Sequence, residues 1–363
     1  MTVRFIPGLE LAGEYYAEVV GPLLDQAYPG LPYSAGLLGW GSEVLGFDSQ
    51  RSTDHNWGPR LQVFLPAGPG PDPGEVTALL ARQLPETFRG YPTVFPSSQD
   101  PAAAARHWVE VTHLRPWLQA QLGFDATQPV STADWLATPT QRLAEVTAGA
   151  VFHDGLGELA QVRARLAWYP HDVWRYVLAC QWQRIAQEEA FPGRCSEAGD
   201  ELGSAVVAAR LARDLMRLCL LMARHYPPYS KWLGTALAHL PEAAELAPSL
   251  HTAVTATDWQ AREHHLCQAY EMAATLHNQL GLTPRVAPHT RPFHDRPYQV
   301  LDAGRFVAAL RAAIDDPQVR QLPAAGAIDQ FIDSTDALGD AQLRRALQRM
   351  NSSLLIGIKA RTY

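Results

Sequence analysis

Apolar side chains recur at helical spacing over residues 11–27, where Leu11, Tyr15, Val19, Leu23 and Leu24 share one face of a predicted helix that Pro29-Gly30 ends. SAGLLGWGS then reads as a short apolar strand running into a glycine turn, and LQVFL as a buried strand. A Pro/Gly loop at 66–74 precedes EVTALLARQLPETF, a predicted helix; HWVEVTHL is a further strand, and RPWLQAQLG a short helix behind it. Helix, strand, glycine turn, strand, helix, strand is the order of a small sheet with helices layered on it.

From about residue 132 the period changes. PTQRLAEVTAG, ELAQVRARLAWY, HDVWRYVLACQWQRIAQEEAF, GDELGSAVVAARLARDLMRLCLLMARHY and WQAREHHLCQAYEMAATLHNQLG are long, periodic and rich in Ala, Leu and Arg, which predicts four or five packed helices. Beyond about residue 290 an extended piece, DRPYQVL, is followed by two short helices, AGRFVAALRAAI and AQLRRALQRM. The expected fold is α+β: a small mixed-sheet domain over 1–130, a helical bundle over 131–288, and a mixed appendage over 289–363.

At 363 residues, 47% hydrophobic and 18% charged, the chain has ordinary globular composition and suits more than one core. The net charge of -7 removes the basic footprint that a non-specific grip on nucleic acid needs. Cys180, Cys195, Cys219 and Cys267 lie far apart without CxxC pairing, which suggests reduced thiols. MTVRFIPGLELAGEYY lacks a basic region ahead of an apolar core, and the most apolar run, 215–223, is short and broken by Arg217. The expectation is a cytoplasmic protein without a membrane span.

The chemistry concentrates in LLGWGSEVLGFDSQRSTDHNWGPRLQVFL. Gly41-Ser42 closes a strand, and twelve residues after Ser42 comes Asp54, expected to open the next strand. A glycine turn lets backbone amides and a small hydroxyl approach a polyphosphate. Acids at i and i+2 on a strand point to one face, where they can share Mg²⁺. These residues, and the string GSEVLGFD…STDHNWGPR, resemble the GS…DxD signature of polymerase-beta-type nucleotidyltransferases and an uncharacterised bacterial nucleotidyltransferase-like family. The resemblance runs on through AGAVFHDGLGEL, PPYSKWLGTA and RPFHDRP.

The resemblance implies transfer of a nucleoside monophosphate, AMP from ATP, to a hydroxyl of a small molecule or protein, with Mg²⁺ or Mn²⁺. Gly41 and Ser42 would hold the triphosphate, with Arg60 and Lys231 as further phosphate ligands or solvated cations. Asp54, Asn56 and Glu110 would bind metal, and Asp54 and Glu110 would be catalytic. Asn56 replaces the second aspartate of the signature, and the amide brings no charge. Either Asp48 or Glu43 compensates, or the protein is a weakened, nucleotide-binding regulator. His55 reads as structural, as do His264-His265 and the two FHD strings.

Overall fold

The computed structural model describes residues 4–54, 56–95, 105–346 and 349, so His55 and part of AQLRRALQRM lie outside the described residues. The fold is α+β, and its contacts divide the chain into two units, residues 1–130 with 142–167 and residues 131–141 with 168–363.

In the first unit the opening helix, Gly8–Tyr15, continues through a π-turn, Tyr16–Val20, into Gly21–Ala27. Pro22 accounts for the turn: it cannot donate to the carbonyl of residue 18 and its ring crowds that carbonyl, so the ladder widens one turn earlier. Leu11, Tyr15, Val20 and Leu24 are buried on the predicted face.

Five strands form one sheet in the order β5-β6-β2-β1-β7. In chain order β1 is Ser34–Leu37, β2 Arg60–Leu65, β5 Val94–Phe95, β6 Arg106–His113 and β7 Ala150–Asp154. A separate two-residue hairpin, β3 (Thr87–Phe88) with β4 (Tyr91–Pro92), precedes β5. β2 and β6 run parallel while the other pairings are antiparallel. The helix Pro73–Gln83 makes the crossover that a parallel pair requires. Its start is fixed by Asp72, whose carboxylate accepts from Gly74 N at 2.8 Å. It stops short of the predicted ETF because Pro85 forces Leu84 into extended backbone. Leu61, Val63, Leu65 and Val109 pack with Val76 and Leu80 of this helix and with the opening helix in one core.

β7 corrects the expected boundary. Residues 142–167, read from sequence as part of the helical half, belong to the first unit because β7 pairs with β1, Ser34 opposite Asp154 and Leu37 opposite Ala150.

The second unit is built on the long helices His171–Glu188, Glu201–Met222 and Trp259–Gln279. The expected helix Gly304–Ala312 packs on the first of them, and residues 289–346 join this unit rather than forming an appendage of their own. Trp182 sits at its centre, stacked on Phe306 at 4.5 Å and donating Nε1–H to His277 Nδ1 at 3.2 Å. Among the described residues no helix is long and apolar enough to cross a membrane.

Candidate functional site

The register of the parallel pair sets Arg60 beside Trp108, Gln62 beside Glu110 and Phe64 beside Thr112. Because alternate residues share a face, these six stand opposite the core-facing Leu61, Val63 and Val109. Trp108, Glu110 and Thr112 thus lie on the face away from that core. Gln62 is 5% exposed, and its Oε1 accepts Leu38 N–H at 3.0 Å, which leaves its amide hydrogens for Glu110. Glu110 also bonds Trp117 of the helix Leu114–Leu122. Loss of solvation raises its carboxyl above the ordinary glutamate range, against the pull of the Gln62 and Trp117 hydrogen bonds and the charge of Arg60. The residue nevertheless remains exposed. A reachable carboxyl with raised proton affinity can act as an acid or base.

Gly41 lies in the turn after β1 with φ 125°, a conformation that suits glycine. A β-carbon there would fall 2.6 Å from Glu43 Oε2 and overlap Arg60 Nη2. The space is taken by a buried ion pair: Arg60 is 3% exposed and Glu43 2%, with Arg60 Nε donating to Glu43 Oε1 at 2.7 Å. Arg60 Nη2 also donates to the Trp40 carbonyl, and the guanidinium lies 4.0 Å from the centroid of the Trp40 ring. Trp40 itself is 45% exposed and meets Trp108 edge-on at 6.1 Å, and Trp108 stacks on Phe95 at 3.8 Å. The result is an aromatic wall beside the glycine turn.

Arg60 was expected to hold phosphate or to lie in solvent. The structure instead uses it as an internal brace, because the buried Glu43 requires a cation. Ser42 is half-buried, and its Oγ is 3.5 Å from Ser52 Oγ, which ties the glycine turn to the loop that carries Asp54.

That loop departs from the expected strand. Gln50–Asp54 is a 3₁₀ turn and β2 begins only at Arg60. Asn56 takes the left-handed conformation at φ 51°, and Gly58 has φ 156°. Asp54 and Asn56 therefore do not share a strand face, because the chain curls where an extended pair would be needed. Both are exposed, and Arg51 lies 3.6 Å from the Asp54 carboxylate. The two acids considered as substitutes for a second aspartate are engaged elsewhere. Glu43 holds Arg60, while Asp48 Oδ2 accepts Gly8 N–H at 2.7 Å and Trp57 Nε1–H at 3.0 Å. Asp48 thus anchors the first helix to the loop.

Among the described residues no group of three or more His, Cys, Asp or Glu side chains is gathered to hold a metal ion. Asp54 with one amide is a sparse donor set for a resident Mg²⁺. It suits a cation that arrives already ligated by phosphate, since Mg²⁺ is commonly held by one or two carboxylates, waters and the phosphates of its substrate.

Lys231 belongs to the second unit, in the first turn of the helix Ser230–Ala238, exposed and with Nζ 4.7 Å from the Trp232 ring centroid. Sequence reasoning missed Trp40, Gln62 and Trp117. Gln62 left a signal, a polar residue inside the apolar string LQVFL, while Trp40 and Trp117 left none that separates them from core tryptophans.

Residues 135–233 match a family described as a domain of unknown function (DUF4037). The matched segment contains β7 but none of Gly41, Ser42, Asp54, Asn56, Arg60 or Glu110, although it includes Lys231. No match is found among curated proteins or among solved structures.

Proposed function

We propose that the first unit binds a nucleoside triphosphate, ATP, as its Mg²⁺ or Mn²⁺ complex at the Gly41-Ser42 turn, and transfers its nucleoside monophosphate to a hydroxyl of a small molecule or protein. The observation that carries the reading is the strand face that places Glu110, a carboxyl with raised proton affinity, two positions along from the brace of the glycine turn. In this reading the backbone of Gly41 and the hydroxyl of Ser42 take the phosphates. Trp40, exposed beside them, offers a ring face for a base. Asp54 and Asn56 contribute oxygens to the cation that the nucleotide brings, and the cation supplies charge neutralisation on the phosphates. Glu110, in its ionised form, takes the acceptor hydroxyl proton. The acceptor oxygen bonds to the α-phosphorus, the bond to pyrophosphate breaks, and pyrophosphate leaves with the electron pair.

The 3₁₀ turn at Gln50–Asp54, and the commitment of Glu43 and Asp48 to other partners, favour a second reading: a regulator that keeps the nucleotide pocket with little or no transfer. Asn56→Asp separates the two. It adds a negative charge at almost constant size, so an active enzyme should release pyrophosphate about tenfold faster or more if the gain is near 1.4 kcal/mol. The assay is pyrophosphate release with a panel of hydroxyl acceptors, alongside calorimetric binding of a non-hydrolysable ATP analogue. Binding without transfer in both proteins supports the regulator. Absence of metal-dependent binding to the parent refutes the nucleotide reading altogether.

A further inference from the structure

The second unit contains two cavities, about 400 and 130 Å³, and Arg213, Arg217, Asp329 and Asp333 line both. Arg210, Arg213 and Arg217 form a stripe along two turns of the helix Glu201–Met222, and all three line the larger cavity. Like charges at i and i+4 repel, so such a stripe needs counter-charge. Arg210 has Glu188 at 3.2 Å, Arg213 has Asp333 at 3.4 Å, and Arg184 on the facing helix has Asp214 at 3.3 Å. Arg217 makes no ion pair among the described residues. It donates through Nη1 to the backbone carbonyl of Asp329, and its Nε is buried without an acceptor.

Asp329 presents the opposite deficit. The residue is 7% exposed, and its Oδ2 accepts from Thr140 N at 3.0 Å and from Thr140 Oγ1 at 2.5 Å, while Oδ1 is buried and accepts nothing. One water could cap a lone carboxylate oxygen, but it would not neutralise Arg217. An unneutralised guanidinium and an unfilled acceptor in one cavity wall call for a ligand with an anionic end and a donor end. The larger cavity lies within the roughly 300–1,000 Å³ usual for small-molecule sites.

We infer that this cavity binds a small molecule carrying an oxyanion, phosphate or carboxylate, together with an ammonium or hydroxyl donor. The oxyanion lies against Arg213 and Arg217, and a small turn of the Asp329 carboxylate uncovers Oδ1 for the donor. The site is independent of the nucleotide reading, since every residue it uses belongs to the second unit.

The test is calorimetric titration of the full chain at low ionic strength with inorganic phosphate, O-phosphoethanolamine and β-alanine. Saturable binding of O-phosphoethanolamine, tighter than inorganic phosphate, is expected if the oxyanion is a phosphate. Binding of β-alanine alone supports the site with a carboxylate ligand. Arg213→Gln breaks a pair in which Asp333 is 78% exposed and a long one, 3.9 Å, to Asp214, which keeps Arg184 at 3.3 Å, so the fold should survive, and affinity should fall about tenfold or more. Asp329→Asn keeps an acceptor for Thr140 and should abolish the preference for O-phosphoethanolamine over inorganic phosphate. Failure of all three probes to bind, or unchanged affinity in folded Arg213→Gln, overturns the inference.

Discussion

Replacing Glu43 with Gln isolates the brace beneath the glycine turn. The amide keeps the length of the side chain and one oxygen acceptor for Arg60 Nε, so packing is nearly unchanged and the charge alone is removed. At the observed 2.7 Å, and with an effective dielectric of about 20, the gross attraction between the two charges is about 6 kcal/mol. Part of this offsets the desolvation of both groups. What the variant exposes is therefore the cost of a buried, uncompensated arginine, about 3–5 kcal/mol. Because the chain has two units, a single melting curve would blur the result. Hydrogen exchange followed by mass spectrometry, on peptides covering 34–65, reads the local stability directly. Those peptides should lose protection equivalent to about 3–5 kcal/mol, up to the global limit, while peptides from 259–279 keep theirs. Adding Arg60→Met to Glu43→Gln removes the orphaned charge and should restore part of the loss. A loss under about 1 kcal/mol, or a double variant no more protected than the single one, refutes the brace.

Two further predictions concern backbone and pH. Gly41→Ala should cost about 2 kcal/mol or more, because it adds a clash with the ion pair to the strain of positive φ, whereas Gly46→Ala, at φ 73° with open space around it, should cost only about 1 kcal/mol; equal losses of hydrogen-exchange protection over 34–65 would contradict this. Burial lowers the His277 pKa from 6.5 to about 4, so the unfolded chain takes up its proton first as the pH falls. The stability that His277 contributes is complete above pH 6.5, and about 3 kcal/mol should be lost by pH 4. Glu189 and Glu263, each raised to about 7 by burial, act in the opposite direction over part of that range. The effect is therefore read as the difference in urea unfolding between parent and His277→Gln across pH 4–7. A difference that does not change with pH would show that the histidine is not held neutral.

Periodicity made the long elements legible. The opening helix, β6 and the three long helices announce themselves by period, because each buries a stripe or face, while β1 and β2 show as short apolar strings, because every position in them is buried. Short helices such as Phe191–Glu197 and Leu246–Thr255 were missed, since two or three turns hold too few apolar positions to show a period. The Gly-Ser…Asp spacing measured separation along the chain, not conformation. Nothing in STDHNWG distinguishes an extended pair from a 3₁₀ turn followed by a left-handed asparagine. The fate of Arg60 was equally hidden, because Glu43 becomes its partner only once the turn after β1 has folded back onto the start of β2. β7 was passed over because AVFHD is half-polar and lies between two helical patterns, where only pairing with β1 makes it a strand.

That late strand bears on how the protein is synthesised and how it can be cut. Until residues 150–154 leave the ribosome, β1 has a partner on one side only, and at ~5–20 residues per second the roughly 90 residues separating the ends of β2 and β7 take about 4–18 s to follow. Throughout that interval Ser34–Leu37, four residues that end up fully covered, present a bare hydrogen-bonding edge. A gene fragment ending near residue 130 would make the interval permanent, and one confined to 135–233 would carry the covering strand away from its sheet. A fragment meant to contain the whole first unit has to run through residue 167 and carry the short excursion of 131–141 with it.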